Sequence, residues 1–132
     1  MTVLLVDAAN VVGARPDGWW RDRAGATTRL LSRLAGVRGR EVDGAVVAEV
    51  VVVVEGAARD VPAADGVRLV RAAGSGDDAL AAAAAELAAA GRAVLVVTAD
   101  RGLRGRLPAA TAVTGPGRLL DVLDRMAGNG PG

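Results

Sequence analysis

Four runs of apolar, β-branched residues are each followed, at once or after a short turn, by acidic residues. Asp7 follows Thr2–Val6, and Glu55 follows Val46–Val54. Asp77 and Asp78 come after Val67–Val70 and a Gly/Ser turn, and Asp100 comes after Ala93–Val97. If those runs are strands of one parallel sheet, their carboxyl ends deliver every one of these acids to a single edge. Neighbouring strands lie about 4.8 Å apart, so several carboxylates can converge there. Carboxylates gathered so closely repel one another unless a positive charge sits among them. A hard divalent cation with oxygen ligands, Mg²⁺ or Mn²⁺, meets that need and also takes water and phosphate oxygens.

Each acid also has a plainer use. Asp77 or Asp78 could cap the helix that follows, and Asp100 could cap a short turn. Glu55 could be a solvated loop acid. Asp7 has no evident capping duty, which sets it apart. Gly74-Ser75-Gly76-Asp77-Asp78-Ala79 fits the dinucleotide pattern G-x-G-x-x-A. Its two aspartates would sit where pyrophosphate must bind, and it follows the third strand and not the first, so a nucleotide cofactor is disfavoured.

The rest of the composition narrows the chemistry. The chain has no Cys and no His, and all 16 basic residues are Arg. Thiolate nucleophiles, imidazole bases, zinc–sulfur sites, Schiff bases and the P-loop lysine are therefore excluded. Hydrophobic residues make up 52%, yet there is no Phe or Tyr and only two Trp, so the core must be aliphatic. The net charge of +1 does not by itself announce a nucleic-acid partner. No 18-residue apolar span is present, and no basic leader precedes the first run. A soluble cytoplasmic protein without a membrane partner is the expectation.

The acids must be positioned by alternating strands and helices. The apolar runs give strands at Thr2–Val6, Val46–Val54, Val67–Val70, Ala93–Val97 and, more weakly, Ala110–Val113. Helices are expected at Asp22–Leu34, Asp77–Ala90 and Pro116–Met126, with a helical turn around Leu103–Leu107. The length of 132 residues suits one domain. The reading is an α/β domain over residues 1–127, in three layers, with about five parallel strands and helices on both faces. Residues 128–132 read as a disordered tail.

The segments Leu4-Leu5-Val6-Asp7-Ala8-Ala9-Asn10-Val11-Val12-Gly13, Gly76-Asp77-Asp78-Ala79-Leu80 and Val96-Val97-Thr98-Ala99-Asp100-Arg101 resemble the PIN-like nuclease superfamily. The likeness is greatest to its NYN branch, of the YacP-like kind. That resemblance implies a compact parallel sheet and metal-dependent cleavage of RNA. It implies that Asp7, Asp78 and Asp100 are the central metal-binding carboxylates, with Asn10 a polar group beside them. Asp77 shares or replaces the role of Asp78, and Glu55 stands where related sequences often carry another acid. The chain departs from some relatives at Ala81 and Leu103, where they have further acids.

An RNA substrate needs cationic and aromatic contacts around the acidic centre. Arg101, Arg104 and Arg106 follow Asp100, while Arg15, Arg21 and Arg23 follow Asn10. Guanidinium groups bind phosphate through paired hydrogen bonds. Trp19, beside Trp20, could stack on a base or plug the core under its loop. The leading expectation is hydrolysis of RNA phosphodiesters at a carboxylate-held Mg²⁺ or Mn²⁺ site. The alternative is a catalytically weak or inactive PIN-like module that binds RNA or a protein. A phosphatase with an aspartyl nucleophile fits poorly, because Asp7-Ala8-Ala9 lacks the second acid two residues on.

Overall fold

A computed structural model describes residues 1–128. Strands form at β1 (Thr2–Asp7), β2 (Glu41–Val42), β3 (Ala45–Val54), β4 (Val67–Arg71), β5 (Ala93–Val97) and β6 (Ala112–Thr114). Helices form at α1 (Ala8–Val12), α2 (Arg23–Leu34), α3 (Gly76–Ala89), α4 (Arg101–Arg104) and α5 (Pro116–Gly128). All strands lie in one sheet. β1 is central, parallel to β3 on one side and β5 on the other; β4 extends the sheet beyond β3 and β6 beyond β5. Among the described residues, no helix is long and apolar enough to cross a membrane.

The five expected strands are present. The sixth, β2, pairs antiparallel with the start of β3 through a two-residue turn. Asp43 (φ 47°) and Gly44 (φ 85°) both take left-handed backbone there. That is the demand of a tight hairpin, and Asp-Gly is a sequence that meets it. The last helix runs to Gly128, beyond the expected Met126. Gly128 therefore belongs to α5 and not to the tail; residues 129–132 lie outside the described residues.

Side chains alternate across the strands, as period-2 geometry requires. Leu4, Val6, Val50, Val52, Leu95 and Val97 face one way and pack with residues of α1, α2 and α5. Val3, Leu5, Val51, Val53, Val94 and Val96 face the other way and pack with α3 and Leu103 of α4. Both faces are covered, which explains why β1 and β3 read as nearly unbroken apolar runs. The fold is thus a three-layer α/β domain with a mostly parallel sheet.

Order within the sheet locates the site. The chain moves outward from β1 to β3 and β4, then α3 carries it back to β5 on the opposite side of β1. The carboxyl ends of β1 and β5 flank this reversal, where α/β sheets open a crevice for ligands. The register pairs Val6 with Val97 and Asp7 with Val53, so the three central strands end nearly level.

Candidate active site

Asp7 is the last residue of β1 and is only 4% exposed. Contrary to the expectation from sequence, it does have a capping duty. The chain enters α1 immediately, and the Asp7 side chain accepts from the Asn10 backbone N–H at 3.4 Å. Its other oxygen accepts from the Asn10 side-chain amide at 2.6 Å and from the Thr98 hydroxyl at 3.3 Å. Burial pushes its pKa up and the nearby Glu55 charge adds to this, while these hydrogen bonds work the other way.

Asn10 is a bridge. Its amide nitrogen holds Asp7, and its carbonyl oxygen accepts from the Ala99 N–H at 3.1 Å. One side chain therefore joins the end of β1 to the end of β5. Thr98, fully buried, makes the second join: it donates to Asp7 and accepts from the Asp100 N–H at 3.1 Å. The sequence reading did not single out Thr98 as a site residue. Its signal was the Thr98-x-Asp100 spacing after a strand, which lets a hydroxyl accept from the backbone two residues on.

Asp100 caps α4, accepting from the N–H groups of Gly102 at 2.9 Å and Leu103 at 3.2 Å. The Leu103 N–H is the largest cause of its lowered pKa, followed by a hydrogen bond with Asp77. The pKa of Asp77 moves upward, through partial burial first, then this bond with Asp100 and the charges of Asp100, Asp7 and Glu55. Of the two, Asp77 is therefore the harder to ionise and Asp100 the easier. Four acids from separate strand ends sense one another here.

Asp78 is placed differently. It lies one residue further around α3, is exposed, and pairs with Arg106 at 2.7 Å. Neither aspartate caps α3; Ser75 does, accepting from the Asp78 N–H at 3.4 Å. Glu55 is not a free loop acid. It receives the Gly76 N–H at 2.6 Å, at the start of α3. A carboxylate suits a helix N-terminus, where free N–H groups and the positive end of the helix dipole meet.

The expected RNA contacts divide. Arg15 is turned to α5, where it and Arg33 grip Asp124 at 2.7 and 2.9 Å. These two guanidinium groups hold Asp124 down at a pKa of about 2. Arg21 lies 6.0 Å from the Trp20 ring. Arg101 and Arg104 are exposed on α4, directly after Asp100. Trp19 is half-buried, with the Arg23 guanidinium 5.3 Å from its ring centre. It lines a cavity of about 410 Å³ together with Arg23, Glu55 and Ala8.

The donor chemistry suits a hard divalent cation, since Asp7, Glu55, Asp77 and Asp100 offer only oxygen, and neighbouring carboxylates make Asp7 and Asp77 harder to ionise. Their gathering is incomplete. Among the described residues no group of three or more such side chains is drawn closely enough to hold a metal.

No family model matches the chain, and no curated protein matches it in sequence. Solved structures do match. Rae1 (YacP) from Bacillus subtilis superposes with a TM-score of 0.74 at 19% identity, over 96% of this chain and 76% of that one. A mutant form of Rae1 gives 0.68 at 21% identity, over 96% and 77%. At such identity the shared property is the fold, and the chain has the three-layer α/β fold of Rae1 (YacP).

Proposed function

We propose that this chain is a metal-dependent ribonuclease that hydrolyses RNA phosphodiester bonds at the β1–β5 edge. The observation that carries the reading is geometric: Asn10 and Thr98 tie Asp7 at the end of β1 to the Ala99–Asp100 segment at the end of β5, at the topological reversal of this fold. Asp7, Asp77 and Asp100 would hold Mg²⁺ or Mn²⁺, with Glu55 beside them. When bound, such an ion acidifies a water and neutralises charge developing on the phosphate.

The chain's own residues prepare the site. Asn10 and Thr98 fix the Asp7 carboxylate through three hydrogen bonds, leaving it no freedom to swing away. The N–H groups of Gly102 and Leu103 keep Asp100 ionised. Arg101 and Arg104 offer guanidinium groups to flanking phosphates. Asp78, paired with Arg106, stands outside this set.

A second reading has its own support, because the carboxylates are not pre-gathered. It is an RNA-binding module of the same fold with weak or no cleavage. One experiment separates the two. Purified protein stripped with EDTA is given labelled single-stranded RNA, with and without Mn²⁺. A nuclease cuts only with Mn²⁺, and Asp7→Asn abolishes cutting without lowering the melting temperature. Binding without cutting in any divalent ion favours the second reading. Equal cutting by Asp7→Asn removes Asp7 from the chemistry.

A further inference from the structure

A cavity opens beside the acidic edge, with Glu55 the one carboxylate in its wall. It is bounded by Ala8 and Ala9 of α1, Trp19, Arg23, Glu55 and Gly74. Its volume, about 410 Å³, falls in the range of small-ligand sites, roughly 300–1,000 Å³. Two of its walls immediately adjoin the acidic edge: Ala8 follows Asp7, and Gly74 lies three residues before Asp77.

The walls are of a particular kind. An indole ring and a guanidinium group are among the planar surfaces on which unstacked RNA bases settle. Here they already associate, with Arg23 5.3 Å from the Trp19 ring centre. Trp19 is only half-buried, and the small side chains of Ala8, Ala9 and Gly74 leave the space open. Arg23 adds positive charge that favours an approaching polyanion.

We infer that this cavity receives one nucleobase of the RNA, stacked on Trp19 and Arg23, with its phosphate directed toward Asp7. The inference rests on the ribonuclease reading and adds to it a pocket for one unstacked base. A base held in a duplex has no free face to offer.

The test is binding of a fluorescein-labelled, single-stranded RNA heptamer, read by anisotropy in Ca²⁺, which takes oxygen ligands, and again in EDTA. A set of heptamers carries one abasic ribose at each position in turn. In the parent protein one abasic position should weaken binding roughly 5- to 150-fold, the value of one stacked base. Trp19→Leu, which keeps apolar bulk and removes the ring, should erase that position's penalty. Ala9→Leu, which fills the cavity and keeps Trp19, should do the same and covers the case in which Trp19→Leu fails to fold.

A penalty that persists in both variants, a penalty spread evenly over all positions, or no binding of the parent overturns the inference. Cleavage in Mn²⁺ is scored separately. A position-specific penalty without cleavage sinks the nuclease reading and leaves the pocket. Cleavage without such a penalty does the reverse.

Discussion

Replacing Asn10 with alanine severs the link between the ends of β1 and β5 and so tests how the candidate site is held. Two side-chain bonds disappear, one to the Asp7 carboxylate at 2.6 Å and one from the Ala99 N–H at 3.1 Å. The first is charge-assisted and contributes about 1.5–3 kcal/mol, the second about 0.5–1.5 kcal/mol. Alanine recovers up to about 0.7 kcal/mol through its helix propensity in α1. The net loss is about 1.5–4 kcal/mol. For 132 residues each kcal/mol corresponds to about 4 °C, so calorimetry should show melting lowered by about 5–15 °C. Cleavage of RNA should fall as well, by roughly 100-fold, because a carboxylate released by an ångström loses its alignment. Asn10→Asp is the companion. It sets a second acid against Asp7, so the folded pair takes up a proton that the unfolded chain releases near pH 4. The folded-state pKa being raised, that stability is present at low pH and is lost as pH rises through it. An Asn10→Ala protein that melts within about 2 °C of the parent refutes this account of the site.

Three further outcomes follow from the same geometry. Asp77→Asn should abolish Mn²⁺-dependent cleavage while Asp78→Asn keeps it within a few-fold; the exposed Asp78–Arg106 pair adds at most about 1 kcal/mol, so both variants should melt near the parent. In Gly76→Ala the new Cβ would lie 2.5 Å from Cδ of Glu55, so the carboxylate must leave the start of α3; calorimetry should show a loss of about 1–3 kcal/mol, and Glu55→Gln, which retains an acceptor oxygen, a smaller one. Asp124, held at about 2 by Arg15 and Arg33, stabilises its ionised form above the ordinary carboxylate range and loses that contribution as pH falls toward 2. Acid titration of Asp124→Asn should therefore show a shallower decline over that window than the parent; identical curves would remove the Arg15–Asp124–Arg33 contact from the stability of α5.

Much of this architecture was legible because strand runs such as Leu4–Val6 and Val50–Val54 are buried on both faces and therefore unbroken. Short elements were harder. The five residues of α1 carry no stop signal before Gly13, so Asp7 looked like a free strand-end acid and not a cap. β2 escaped although Asp43-Gly44 carries the hairpin signature, because a two-residue strand has too little periodicity to register. Which of Asp77 and Asp78 meets Asp100 is a matter of rotation. Consecutive helical residues point about 100° apart, and composition says nothing about that angle. Arg15 illustrates the long-range case: its partner Asp124 lies 109 residues away, and only tertiary packing brings α5 beside it. Glu55 likewise finds its use across the chain, in the N–H of Gly76.

The aromatic side chains have a practical consequence for spectroscopy. The chain's only indoles, Trp19 and Trp20, sit edge to face in one short turn, their ring centres 6.0 Å apart and Trp20 52% exposed. No aromatic chromophore lies within the sheet or its helical layers. Intrinsic fluorescence and near-ultraviolet dichroism are therefore blind to the aliphatic interior and report only on the loop between α1 and α2. A heating curve followed by emission should register loosening of that loop, whereas backbone dichroism of the same sample follows the sheet. Divergence between the two traces would measure how independently the loop moves from the fold that carries it.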